Sequence, residues 1–174
     1  MQHLQYPIGK FSAKENYSEA EMQENLQTIE NLPAQLKKQT SNISEQQLAT
    51  PYRPGGWTVR QVIHHVADSH MNGYCRFKLG MTEDHPTIRP YKEALWAETP
   101  DGSGAPIQLS LNILEAVHAR WVLFLKTLKK EDWERTIFHP ESQRIFRLKD
   151  LLSLYAWHSR HHLEHVKIGM AAAQ

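Results

Sequence analysis

Apolar residues recur three or four apart in four stretches of the chain, and the intervals between them hold most of the prolines and glycines. The first stretch, Ser18 to Lys38, gathers Ala20, Leu26, Ile29 and Leu36 on one side, with Pro33 expected to kink the helix or restart it. The second runs from Thr58 to Met81. The chain-breaking Pro54-Gly-Gly precedes it, and Thr58-Val-Arg-Gln61 forms a capping box in which the Thr58 hydroxyl accepts from the Gln61 backbone. The third covers Ile107 to Leu128 and the fourth Leu151 to Gly169. Thr82 to Pro106 carries four of the nine prolines and little periodicity. So long a connection in a compact domain is a crossover or a lid, and it lets the second and third helices run parallel. The segment from Thr136 to Phe146 fits a β-hairpin turning near Pro140 to Ser142. The expected fold is therefore all-α: a four-helix bundle, one domain over residues 1–174, with a long crossover between helices 2 and 3 and a small hairpin before helix 4.

The length of 174 residues suffices to bury a core without disulfides or a structural metal, so any metal would serve function. Twenty Lys and Arg against nineteen Asp and Glu leave a formal charge of +1, which argues against nucleic-acid and membrane-surface partners. No apolar run approaches the roughly 18 residues of a membrane span. The start of the chain lacks the apolar centre of a signal peptide, and its one cysteine can form no internal disulfide, so a cytoplasmic location is expected. Cys75 itself, in mid-helix, reads as a small packing residue.

The candidate chemistry lies in the last helix, where His158, His161, His162 and His165 stand at i, i+3, i+4 and i+7. Neutral imidazole is the commonest ligand for zinc and related ions, and rings four apart on a helix can close on one ion. His158 and His162 straddle the apolar face with Leu151, Tyr155 and Gly169, while His161 and His165 flank it, so the former pair is better aimed at a bundle core. His161-His-Leu-Glu-His165 also matches the H-x-x-E-H pattern of inverted zinc peptidases. That reading is set aside because Glu164 projects from the polar face and only nine residues follow His165. A third ligand should come from the second helix, which offers His64, His65 and His70. Periodicity does not choose among them: it buries His70 most deeply, turns His64 to the opposite side, and puts His65 on a polar strip with Ser69, Asn72 and Arg76 that suits a cleft wall.

The segment from Trp57-Thr58 through Gln61 to His64-His65 and Asp68, followed far downstream by Trp157-His158-x-x-x-His162, resembles the DinB-like superfamily of metal-dependent enzymes. The likeness extends to its YfiT branch through Pro51-Tyr-Arg-Pro-Gly-Gly-Trp57, Arg76-Phe-Lys-Leu and Ile88-Arg-Pro-Tyr91, and covers nearly the whole chain. It implies that His65, eight residues after Trp57, joins His158 and His162 in holding one divalent ion per subunit, zinc first and nickel second. It also implies a homodimer in the cytoplasm. The family's last ligand is usually followed by Gly-Gln, where this chain has Glu164-His165; that departure leaves His165 as a supporting or substitute ligand.

Three neutral nitrogen ligands leave an open coordination position, the arrangement of a catalytic site. The first expectation is a metal-dependent hydrolase acting on a small-molecule substrate, with water activated by the ion as nucleophile. The second is transfer of a low-molecular-weight thiol of the bacillithiol type to an electrophile, which needs no protein nucleophile. There Asn72 and Arg76, with Ser69 the candidates for the substrate pocket, would hold the thiol's carboxylates. The third is a metal-binding stress module without turnover. Asp68 is the nearest carboxylate in sequence to His65 and a weak candidate for orienting it. Trp57 and Trp157 read as packing residues, whereas Tyr91 and Trp96 in the crossover are placed to reach a substrate if that segment folds over the site.

Overall fold

The computed structural model describes residues 2–173, and four long helices organise it. The elements are α1 (Gln2–Gln5), α2 (Glu19–Gln39), α3 (Glu45–Ala49), α4 (Val59–Thr82), α5 (Glu93–Ala97), α6 (Pro100–Gly104), α7 (Ile107–Leu125), β1 (Thr136–His139), β2 (Arg144–Arg147) and α8 (Leu148–Ala172). Helices α2 and α4 each pack against both α7 and α8, which closes the four-helix bundle. Capping boxes at Ser18–Glu21, Ser44–Gln47 and Thr58–Gln61 set the starts of α2, α3 and α4. The predicted hairpin is present, with Thr136 opposite Arg147 and Ile137 opposite Phe146. Among the described residues no helix is long and apolar enough to cross a membrane.

Several expectations need correction. Helix α2 passes through Pro33 without a break. Proline has no N–H to offer the carbonyl four residues back, so the carbonyl of Ile29 lacks its helical partner and is taken up by the His118 side chain instead, at 2.7 Å. Helix α7 stops at Leu125, three residues early, and the next residues close turns in which Lys126 N–H bonds the Val122 carbonyl and Leu128 N–H that of Leu125. Helix α8 starts three residues early, because Asp150 accepts from both the backbone and the guanidinium of Arg147. The crossover is not structureless: α5 and α6 occupy it, and Gln61 Nε2 ties α5 to α4 by donating to the Ala97 carbonyl at 2.9 Å. Its first residues pair with the hairpin, Ile88 N–H donating to the Phe138 carbonyl at 3.0 Å and Phe138 N–H to that of Pro86 at 2.9 Å. Cys75 is exposed, on the side of α4 away from buried Gly73 and Phe77, and packs no core.

The core falls into two clusters. One joins Ile29, Phe77, Trp121, Leu125, Leu148, Leu151 and Tyr155; the other joins Leu32, Leu36, Val59, Val62, Ile63, Val66, Leu114 and Val166. Gly73 lets α4 approach both rings at the edge of the first, since a Cβ there would stand 2.5 Å from Tyr155 Cζ and 2.8 Å from Trp121 Cη2. Gly73→Val must displace two aromatic rings, and overpacking of that kind costs about 1–3 kcal/mol. We expect a destabilisation toward the upper end, read as a lower denaturant midpoint at unchanged m-value; an unchanged midpoint would show that the rings yield freely.

Candidate metal centre

Helix α4 carries His65 two turns past its capped start, and α8 carries His158 and His162 one turn apart; packing of α4 on α8 brings the three rings together. The Nε2 atoms of His65 and His158 face each other at 3.2 Å, and one ring nitrogen from each of His65, His158 and His162 falls within 4.8 Å of the others. The rings of His158 and His162 have centroids 4.3 Å apart, and Trp57 lies against His65 at 4.7 Å. Burial disfavours the imidazolium, with neighbouring rings adding repulsion: the His65 pKa falls to about 4, and those of His158 and His162 fall well below the ordinary value. All three rings are thus neutral near pH 7 and have a lone pair to give. A trio of neutral nitrogens that close together, with no carboxylate in the group, fits a borderline-soft divalent ion such as zinc or nickel and suits calcium or magnesium poorly.

The other histidines of α4 have different tasks. His64, predicted to face away, is buried all the same, because α5 and α6 cover that side of the helix; its Nδ1 lies 2.7 Å from Ser110 Oγ and its Nε2 3.0 Å from the Ala105 carbonyl. His70 is fully buried as predicted, with Nε2 3.1 Å from His158 Nδ1 and Nδ1 2.9 Å from His118 Nε2. Sequence reasoning missed His118. It stands on α7 four residues after Leu114 and three before Trp121, within the buried stripe, and that position was the available signal. Burial also holds its pKa down to about 4.

On α8, His165 Nδ1 lies 3.3 Å from His162 Nδ1, and His165 Nε2 lies 3.1 Å from the Leu4 carbonyl. His161, His162 and His165 form a second group with ring nitrogens within 4.8 Å. His161 stacks on Trp157 at 4.4 Å, and Trp157 Nε1 donates to the Gly9 carbonyl, so Trp157 does pack as expected. Glu164 pairs with Lys167 at the surface, which is no position for a peptidase base.

Of the pocket candidates, Ser69 is buried, while Asn72 and Arg76 are half-buried. Asn72 donates to the Asp68 carbonyl on its own helix at 2.8 Å and lines a cavity of ≈ 650 Å³ with Arg89, Tyr91 and Trp96. Arg76 donates to Tyr155 Oη at 3.0 Å, forms no ion pair among the described residues, and keeps its buried Nε without a partner. Tyr91 and Trp96 lie against each other at 4.6 Å, and the Tyr91 hydroxyl is buried without a hydrogen-bond partner. The pKa of Asp68 is raised to about 6, first by burial and then by the charge of Asp101; among the described residues its carboxylate bonds none of the three histidines.

The sequence profile described as the DinB superfamily matches residues 28–166. The chain belongs to the DinB superfamily. Within it, the chain is 52% identical over 166 residues to a Bacillus cereus protein named "Putative metal-dependent hydrolase", covering 95% of each chain, and equally similar to one of the same description from Bacillus thuringiensis. The solved structure of YfiT from Bacillus subtilis, described as "a probable metal-dependent hydrolase with an unusual four-helix bundle topology", superposes with a TM-score of 0.95 at 44% identity, over 98% of this chain and 97% of that one. A mycothiol-dependent maleylpyruvate isomerase superposes with a TM-score of 0.66 at 17% identity, over 83% of this chain and 60% of that one, and shares the fold alone.

Proposed function

We propose that this DinB superfamily chain is a metal-dependent hydrolase of a small-molecule substrate, its ion held by His65, His158 and His162. The observation that carries the reading is the convergence of three neutral ring nitrogens from α4 and α8, those of His65 and His162 buried and that of His158 half-buried. A divalent ion bound by three neutral ligands keeps its charge and an open position, so it acidifies water and polarises a substrate oxygen. Zinc is the first choice and nickel the second. The names of the relatives support hydrolysis as the reaction class.

The chain's own part is to bind and orient. Arg76, in no ion pair among the described residues though Glu93 acts on it through space, and packed on Tyr155 in the ring wall beside His158, is suited to hold an anionic group of the substrate. Asn72, Tyr91 and Trp96 give a cavity that none of the three histidines lines one amide and two aromatic faces.

The test is turnover of ester, amide and phosphoester panels by zinc- and nickel-loaded protein, with and without bacillithiol, beside His65→Ala. Thiol-independent hydrolysis that vanishes in His65→Ala supports the reading. Conversion of an electrophile only when thiol is present would replace it with thiol S-transfer, and silence in both assays with one ion bound would leave a binding module.

A further inference from the structure

Resting on the ligand set proposed above, we infer that His70, His118 and His165 are positioning residues: they lock both α8 ligand rings in the Nδ1–H tautomer through two histidine relays, each anchored on a backbone carbonyl. The direction of every bond follows from the anchors, because a carbonyl oxygen only accepts, and a neutral imidazole donates at one nitrogen and accepts at the other. In the first relay His118 Nδ1 must donate to the Ile29 carbonyl at 2.7 Å, which leaves His118 Nε2 an acceptor. His70 Nδ1 must then donate to it at 2.9 Å, which leaves His70 Nε2 an acceptor. His158 Nδ1 donates in turn at 3.1 Å, and the lone pair of His158 is confined to Nε2, the atom that faces His65. The anchor is free because Pro33 offers the Ile29 carbonyl no N–H.

The second relay obeys the same logic. Leu4, in the last turn of α1, has a carbonyl outside the helical ladder, and His165 Nε2 donates to it at 3.1 Å. His165 Nδ1 is therefore an acceptor, His162 Nδ1 donates to it across 3.3 Å, and the lone pair of His162 is likewise confined to Nε2. The two α8 rings thus present the same atom, each hydrogen-bonded to a partner that is not itself a ligand. This assignment also decides what the second histidine group does. An ion there would need the Nδ1 lone pair of His162 while the first ion holds Nε2, which demands an imidazolate; one ion per chain is the consequence.

Two measurements test this. Long-range 1H–15N correlation spectra of the metal-free protein with labelled histidine should show His70, His118, His158 and His162 as Nδ1–H and His165 as Nε2–H. An Nε2–H form at His158 or His162 would overturn the inference. Zinc affinity by chelator competition should fall about 10- to 100-fold in His70→Leu and in His165→Leu at unchanged stoichiometry of one. It should recover in part in His70→Gln and His165→Gln, whose amide oxygen again accepts from the ligand ring. Wild-type affinity in both Leu variants, losses that Gln does not restore, or two ions per chain would each sink the positioning role. The ligand reading fails separately, if His65→Ala and His162→Ala keep wild-type affinity.

Discussion

His162→Ala is expected to lose metal affinity by more than about 100-fold, beyond what removal of a group supporting a ligand costs. His162 is one of only three nitrogens in its group, and the two that remain, from His65 and His158, sit on different helices. The variant should still fold, because both apolar clusters close without it. Thermal unfolding separates the two effects. Free metal at 100 times its dissociation constant stabilises the native state by about 2.7 kcal/mol. For a domain of this size, at about 2–4 °C per kcal/mol, the wild-type midpoint should rise about 5–11 °C, and the variant's by less than about 2 °C at the same metal concentration. A variant that shifts as far as wild type would transfer the ligand role to His161 and His165.

Those three candidate ligands were legible only in part. The spacing on α8 chose His158 and His162 because a helix fixes which residues share a face, and both rings do meet a third from α4. On α4 the pattern left three candidates open, and the reason is visible in the packing. Periodicity assumes one buried face, yet α4 is enclosed by α7, α8 and the crossover helices, so His64, His65 and His70 are all buried. Their difference lies in partners contributed by distant segments, Ala105 and Ser110 for His64 and His118 for His70, and no local pattern encodes those. Pro33 shows the same limit. Proline's missing N–H leaves room for a restart, but the helix stays continuous, and a side chain from α7 takes the orphaned carbonyl. The short helices α3, α5 and α6, five residues each, are too brief to show periodicity, and tertiary contact sustains them.

The same burial that prepares these rings for a metal should make the metal-free protein acid-labile. In the unfolded chain each histidine titrates near its ordinary value of about 6.5. In the folded chain burial holds His65, His118, His161 and His165 down to about 4, and holds His70, His158 and His162 well below their ordinary value. Between those limits the unfolded state takes up protons that the native state refuses, so stability is full above about pH 6.5 and is lost as pH falls toward about 4. Each such ring removes about 1.4 kcal/mol per pH unit inside the window, and His65 and His118 alone account for about 2.7 kcal/mol per unit. Against a total stability of about 5–15 kcal/mol, the metal-free protein should unfold in urea at sharply lower concentrations at pH 5 than at pH 7. Bound zinc competes with protons for the ligand rings and should move the loss to lower pH. His118→Leu isolates a ring outside the ligand set: its stability should fall with pH less steeply than wild type, by about 1.4 kcal/mol per unit. A wild-type midpoint that stays level from pH 7 to 5 would mean the rings accept protons without unfolding, and they would then not be the dry, neutral donors from which the site is built.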